Sequence, residues 1–492
     1  MIFVLKLSFS WFFKRDTTFD LHFDNEDLQL TTLLDDDNLI CEAQYENKKI
    51  FDFIQKDHIL ELIKYITQMP EDDSNSKRAY RYPFYSSKLL NCIGKYKPEF
   101  FVQDDKFFLY KIFNFFQQDQ DVNSVLVAYV VDLLQQISIE IVVNEFFENQ
   151  NIQQGMIRQL QSRSVSDFLV YLLQEKIFDE SKYKNKKINL LQNILRRLDD
   201  STNFEISSNI SYIIQEMIKE RDHPQWYIDI FFGEFIENLC KQIIKKNNYL
   251  SLQSSRILFN LLFYIEENKK NEQYRKEFSI VIDTDIVFSK IVTYVGDWID
   301  FLLFQNSHIL GEQKLKILEI IGVGVSLKNE SFINKLYKSN IFKVYNQLFI
   351  TYEQHDILHF QYYNLINKII ENQIDILIKN LFEENNFIEL LIQCTKLEKN
   401  NEIQRKGQLG FITLLGTFIE EQVEKYQYLK QLVETEQWEQ FRNQYFEKAK
   451  KINSFELGQE GIEELLNNKD NLQEEEQQYQ DNNKMNEKKE SD

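Results

Sequence analysis

Glycine and proline are scarce in this chain, at 12 Gly and 4 Pro in 492 residues, where ordinary usage would supply about 34 and about 25. Tight β-turns and Gly-rich phosphate loops need residues that tolerate φ > 0 or preset a turn, so the hairpins of a β-sandwich and the loops of nucleotide-binding α/β folds are both starved. Long uninterrupted helices remain. With 41 Phe, 25 Tyr and 4 Trp among 43% hydrophobic residues, the chain can bury several domains' worth of apolar surface. The expected fold is all-α and well cored.

Helical periodicity follows an acidic, loop-like stretch over 20–37. Residues 122–136 place Val125, Val127, Ala128, Val131 and Leu134 near an i, i+3, i+4 stripe. Similar apolar stretches begin at Ile206, Ser255, Lys314, Gln361 and Gly407. The last four are spaced by about 45 to 60 residues, which suits two- or three-helix repeats with insertions. The expected architecture is an irregular armadillo/HEAT-like helical-repeat solenoid over 20–458. Polar clusters at 70–79, 268–276 and 396–404 read as connectors. From 459 to 492 the apolar pattern is lost, and 11 Asp+Glu against 4 Lys put −7 of the total −20 there. This end reads as a disordered acidic tail. Residues 1–19 are apolar from Ile2 to Phe13 apart from Lys6 and a few Ser, with Lys14 and Arg15 after the run. That order is wrong for a signal peptide, and about 12 apolar residues fall short of the about 20 that span a bilayer. The segment is expected to dock on the fold.

A net charge of −20 and a pI near 5.0 repel phosphate backbones and anionic lipid, so neither nucleic acid nor a membrane is an expected partner. Cys41, Cys92, Cys240 and Cys394 form no CxxC pair. They read as small buried hydrophobes in a reducing compartment, the cytoplasm with the nucleus as a second candidate. The chain contains no GxxxxGK[ST], GxSxG or GxGxxG. His355 and His359 have the i, i+4 spacing of a zincin helix, but Asp356 stands where that motif needs Glu, and a third ligand is lacking. They read as histidines packed or hydrogen-bonded on a helix. Gly296-Asp297 resembles one metallophosphatase element without its companion blocks, and reads as the cap of a helix from Trp298 to Leu303. No catalytic residue, cofactor or metal is expected, and the chain is read as a non-enzyme.

The stretch from Leu33 to Ile54, LLDDDNLICEAQYENKKIFDFI, resembles the N-terminal block of the SAPS family, the phosphatase-associated regulatory subunits of protein phosphatase 6. The family's acidic run, Glu, and Asn-x-Lys-Leu-x-Asp-Phe-Leu fall on Asp35, Asp36 and Asp37, then Glu42, Asn47, Lys49, Asp52 and Phe53. Further blocks follow in the family's order. Arg81-Tyr82-Pro83 with Leu89-Leu90 is similar to its basic-Tyr-Pro helix start. Asn123, Leu126, Ala128 and Tyr129 resemble its Asn-Pro-Leu-Leu-Ala helix, and Ser164, Asp167, Leu169 and Leu172 its Thr-Ser-x-x-x-Asp-Leu-Leu helix. Ser208-Asn209, Leu310-Gly311 with Lys314-Leu315, Leu358-His359 with Gln361, Gly407, Gly410 and Thr413, and Trp438 with Phe441 complete the series. The chain departs from the pattern at Lys88 (Glu in the family), Ser124 (Pro), Asp132 (Lys), Tyr171 (Arg), Phe411 (His) and Thr417 (Asn).

The resemblance implies a regulatory scaffold that binds a type-2A-like serine/threonine phosphatase catalytic subunit and directs it to substrates, with an ankyrin-repeat third subunit in some relatives. The alternative is a helical-repeat adaptor of another class, for transport or the cytoskeleton, with no phosphatase partner. Candidate contacts lie in the N-terminal half. Tyr82 and Pro83 are either an exposed anchor at a helix start or a Pro starter with Tyr82 packed inward. Asp35, Asp36 and Asp37 are either a docking site for basic residues or a solvated helix start. Asn47, Lys49, Asp52 and Phe53 are expected to join the first helices.

Overall fold

The computed structural model describes residues 19–70, 76–118, 122–174, 180–200, 203–219, 224–245, 248–270, 282–304, 309–395 and 407–453. The expected tail over 459–492, the docked segment short of Phe19, and the connector at 396–404 lie outside them. Among the described residues every regular element is helical and none is a strand. They divide into two compact units, and the boundary falls between Leu261 and Leu262, inside the helix Asn248–Lys270.

In the first unit α1 (Lys56–Thr67), α2 (Tyr82–Tyr96), α3 (Ser124–Gln136), α4 (Arg163–Gln174) and α5 (Phe204–Lys219) pack each on the next. In the second, α6 (Glu312–Ser326), α7 (Asp356–Glu371) and α8 (Gln408–Val423) do the same. Between α2 and α3, and between α6 and α7, contacts keep a nearly fixed offset in sequence. Lys88 on α2 reaches Asp132 on α3, 44 residues away, and Gly94 lies against the backbone at Gln136. Gln361 on α7 donates to Glu319 on α6 across 42 residues, and Lys368 to the Gly322 carbonyl across 46. A fixed offset means parallel helices one repeat apart, since an antiparallel pair would change its offset by two with every residue. The offset falls in the range of HEAT and armadillo repeats. Each unit is an irregular helical repeat.

With few glycines, helices end by other means. Glu46, Lys328, Asn340, Gln373 and Asn386 take φ between 49 and 57° at or just past helix ends, the left-handed region that Gly usually fills. At Gln373 the Ile374 amide donates to Ile369 and the Gln373 amide to Ile370, closing a Schellman turn. Other terminal carbonyls accept from side chains far away in sequence. Arg81 donates to the Leu34 and Asp35 carbonyls at 2.9 and 2.8 Å. Lys97 donates to Phe51, Asn209 to Leu160 and Gln161, and Lys314 to Leu302 and Phe304. These bonds satisfy acceptors that have no partner inside their own helix. Two helical glycines provide clearance instead. A Cβ on Gly324 would lie 2.4 Å from the Phe332 ring, and one on Gly416 would lie 2.7 Å from Phe446.

Several local expectations are corrected. Val125 is 54% exposed and Ala128 half-buried, and the buried stripe of α3 is Leu126, Val127, Val130, Val131, Leu133 and Leu134. Asn123 caps α3, and that start turns Val125 outward. The acidic stretch contains a 3₁₀ turn at Phe19–Asp24 and a helix at Leu30–Leu34. The connector at 268–276 is helical through Lys270, and the one at 70–79 closes into a π-helical turn at Lys77–Arg81 that runs straight into α2. The helix around Trp298 starts at Val295, so Gly296 and Asp297 lie in its first turn. Cys41 is exposed; the other three cysteines are buried.

Replacing a side chain held at positive φ by Gly relieves steric strain, partly offset by the entropy of the unfolded chain. Lys328→Gly and Gln373→Gly are each expected to raise stability by up to about 1 kcal/mol in urea unfolding, whereas Gly324→Ala is expected to lower it by about 1–3 kcal/mol.

Candidate partner-binding surface

The acidic run and the start of α2 form one network. Lys77 Nζ lies 2.8 Å from Asp35 Oδ2, and the Arg81 guanidinium donates to Asp37 Oδ1 at 2.8 Å. His22 Nε2 meets Asp36 Oδ2 at 2.7 Å, and the Tyr85 hydroxyl donates to Asp37 at 3.3 Å. The hydrogen bond from Arg81 holds the Asp37 carboxyl below its ordinary range. All three carboxylates are therefore engaged within the chain, Asp35 and Asp37 by Lys77 and Arg81 of the turn before α2 and Asp36 by His22 of the 3₁₀ turn Phe19–Asp24. The Arg81 side chain also stacks over the Tyr85 ring, 4.3 Å from its centroid.

Pro83 is buried in the first turn of α2. Tyr82 is half-buried, its ring edge-on to Tyr65 at 5.3 Å, and burial with the nearby Asp35 carboxylate pushes its phenol up. The aromatics that face solvent are its neighbours, Tyr80 at 78% and Phe84 at 40% exposure. Neither was visible as a site in the sequence, although their i, i+4 spacing places them on one helix face.

Asn47 forms the centre of a second cluster. Its Oδ1 accepts from the Lys49 amide, and its Nδ2 donates to Glu42 at 2.8 Å and Asp20 at 3.0 Å. Lys49 Nζ reaches the Asp20 carbonyl, and Phe53 packs on Phe23 and stacks on His58. Asp52 is exposed and stands outside this cluster. Asn123 caps α3 by accepting from Val125 and Leu126. Asp167 pairs with Arg163 on the exposed side of α4. Gly311, at φ 78°, starts α6. Gly407 lies where a Cβ would crowd Gln354, Glu353 and Asp356 at 3.1 to 3.3 Å, whereas Gly410 has nothing within 4 Å. His355 Nδ1 accepts from the Leu358 amide and so caps α7. His359 is fully buried between the Phe349 and Phe411 rings. Among the described residues no group of three or more His, Cys, Asp or Glu side chains is placed to hold a metal ion.

The family of SIT4 phosphatase-associated proteins matches residues 131–455. This chain belongs to that SAPS family. It is 20% identical to serine/threonine-protein phosphatase 6 regulatory subunit 3 of Gallus gallus over 89% of this chain and 58% of that one. It is 21% identical to human regulatory subunit 1 over 89% and 59%, and 22% identical to subunit 3-B of Xenopus laevis over 89% and 60%. The chain spans about three-fifths of the length of these curated relatives. Among solved structures, yeast importin-beta aligns with a TM-score of 0.43 and 12% identity over 83% of this chain and 47% of that one. An engineered protein aligns at 0.33 and 13% over 80% and 98%. Neither likeness is close enough to bear on the fold.

Two departures from the SAPS pattern become intelligible together. Lys88 and Asp132, which exchange the family's Glu and Lys, face each other across α2 and α3 at 3.4 Å. The reversal is compensated inside the chain. Such a half-exposed pair is worth about 0–1 kcal/mol. Lys88→Glu or Asp132→Lys alone is expected to destabilise the fold by about 0.5–1 kcal/mol, and the double exchange to restore it, in a double-mutant cycle by chemical unfolding.

His359 gives a pH dependence. Burial pushes its pKa down to about 4 from 6.5, so its contribution is present above pH 6.5 and is lost as the pH falls toward 4. The loss is at most about 3 kcal/mol. His359→Phe is expected to flatten the unfolding midpoint over that window while leaving acid unfolding below it in place.

Proposed function

We propose that this chain is a regulatory scaffold without catalytic activity of its own. It binds the catalytic subunit of a type-2A-like serine/threonine phosphatase, that of protein phosphatase 6, and directs it to substrates. The observation that carries this reading is the SAPS match over residues 131–455, supported by relatives whose names are those of phosphatase 6 regulatory subunits. A helical repeat suits the task because it offers a partner many moderate contacts along a continuous surface. On this reading the catalytic subunit supplies the metals and the phosphate chemistry, and this chain supplies position and substrate choice. An ankyrin-repeat protein joins as third subunit, and the complex works in the reducing cytoplasm.

The proposed contact is the aromatic edge at the start of α2, with Tyr80 and Phe84 as exposed anchors beside Tyr82 and Pro83. The network of Asp35, Asp36, Asp37, Lys77 and Arg81 sets their orientation. Exposed aromatics of this kind bury large area at little entropic cost. Purification of the chain from its own cells is expected to bring a stoichiometric phosphatase catalytic subunit, and phosphate release is expected from the complex alone. Tyr80→Ala with Phe84→Ala is expected to weaken the association at least about tenfold without shifting the melting temperature. A purified chain that brings no such subunit, or that releases phosphate by itself, overturns the reading.

A further inference from the structure

Among the described residues, the second unit presents an apolar surface that packing does not use. α7 and α8 lie side by side in the same sense, with ring centroids 5.6 Å apart for His359 and Phe411 and 6.4 Å apart for Tyr363 and Phe418. On the solvent side of that seam Ile357 and Phe360 of α7 and Leu414 of α8 are 57, 50 and 49% exposed. Gly410, one turn before Leu414, faces open space. A single exposed apolar residue is ordinary, but three on neighbouring faces around an open glycine make a patch.

The surroundings of the patch are acidic. Between 353 and 424 the described residues carry ten Asp+Glu against two Lys, with the exposed Lys425 directly after Glu424. Of those lysines, Lys368 turns toward Glu266 and the Gly322 carbonyl, and Lys379 pairs with Glu383. Toward the C-terminal ends of the two helices the exposed faces continue into Glu371, Glu421 and Glu424. Helix C-termini add their own negative potential there. The face is apolar at one end and anionic at the other.

We propose that it is a docking surface for a basic, amphipathic segment of a partner protein. Apolar side chains of the segment seat on Ile357, Phe360 and Leu414, its backbone passes close over Gly410, and its Lys or Arg side chains follow toward Glu371, Glu421 and Glu424. Leu414 and the two acids of α8 are separated by roughly 10–15 Å along the helix, the reach of about three to five residues of extended peptide. Anionic lipid and nucleic acid are repelled by the same carboxylates. The inference goes beyond the phosphatase reading and does not rest on it, because binding is read on the purified chain alone.

The test uses the full chain and two fluorescent peptides with identical Leu and Phe anchors, one followed by Lys and the other by Glu. The Lys peptide is expected to bind at least about tenfold more tightly by anisotropy. Phe360→Ser with Leu414→Ser removes that binding without shifting the melting temperature. Glu421→Lys with Glu424→Lys inverts the preference between the peptides. Equal binding of both peptides, or Lys-peptide affinity indifferent to both double variants, overturns the proposal. So does a self-associated form that Phe360→Ser with Leu414→Ser disperses in light scattering, which makes the occupant a second copy.

Discussion

A helix that ends without glycine still has carbonyls to satisfy, and in this chain many of the donors come from the neighbouring repeat. Asn209, on α5, holds the Leu160 and Gln161 carbonyls just ahead of α4. Lys97, just past the end of α2, holds the Phe51 carbonyl in the last turn of the helix Lys48–Phe53. Tyr227 and Lys187 both donate to the Leu173 carbonyl near the end of α4. An acceptor left buried without such a donor costs about 1–3 kcal/mol, so each repeat is completed only when the next is in place. That coupling does for this chain what an array of identical repeats does with matched interfaces. It also explains how a ragged register is tolerated: long side chains adjust to a variable offset more readily than a close-packed glycine turn does.

The same requirement shapes the surface. Arg81 could either cap the Leu30–Leu34 helix or reach the acidic run, and its planar, multi-donor guanidinium does both at once. Asp35 and Asp37 are thereby drawn into the chain's own architecture, with Asp36 held by His22. The negative charge that suggested docking at this point is largely answered before a partner arrives. The start of α2 offers aromatic area, and its acids hold that area in place.

Much of this was legible in the residues. The lack of Gly and Pro pointed to helices and the spacing of the apolar stretches to a repeat, because both signals are read along the chain without knowledge of helix phase. What depended on helix phase was not. The Lys77–Arg81 turn is π-helical and adds a residue per turn, which rotates α2 so that Tyr82 faces Tyr65 while Tyr80 and Phe84 face out. A Tyr-Pro pair carries no trace of that rotation. Val125 was misplaced for the same reason, one residue into a helix whose cap fixes the phase. Lys88 and Asp132 stood in the sequence as two separate departures from the family pattern, since their mutual contact exists only once two helices 44 residues apart are brought together.

Glycine, the scarce residue, becomes informative wherever it is kept. Gly324 and Gly416 are kept because a phenylalanine ring occupies the space of a Cβ, Gly155 because the Phe116 carbonyl does, and Gly311 because its φ is 78°. Gly322 has open space where its Cβ would be, but its carbonyl accepts from Lys368 and Ser326, so a bare backbone there gives two donors access. Gly410 has neither a crowding neighbour nor a positive φ. In a chain that places Glu, Lys and Gln in left-handed helix ends rather than use Gly, a helical glycine facing open space runs against the local energetics, by about 1 kcal/mol relative to Ala. Packing within the described residues does not account for it. Close approach of another backbone does, and the exposed Phe360 and Leu414 beside it are what such an approach would bury.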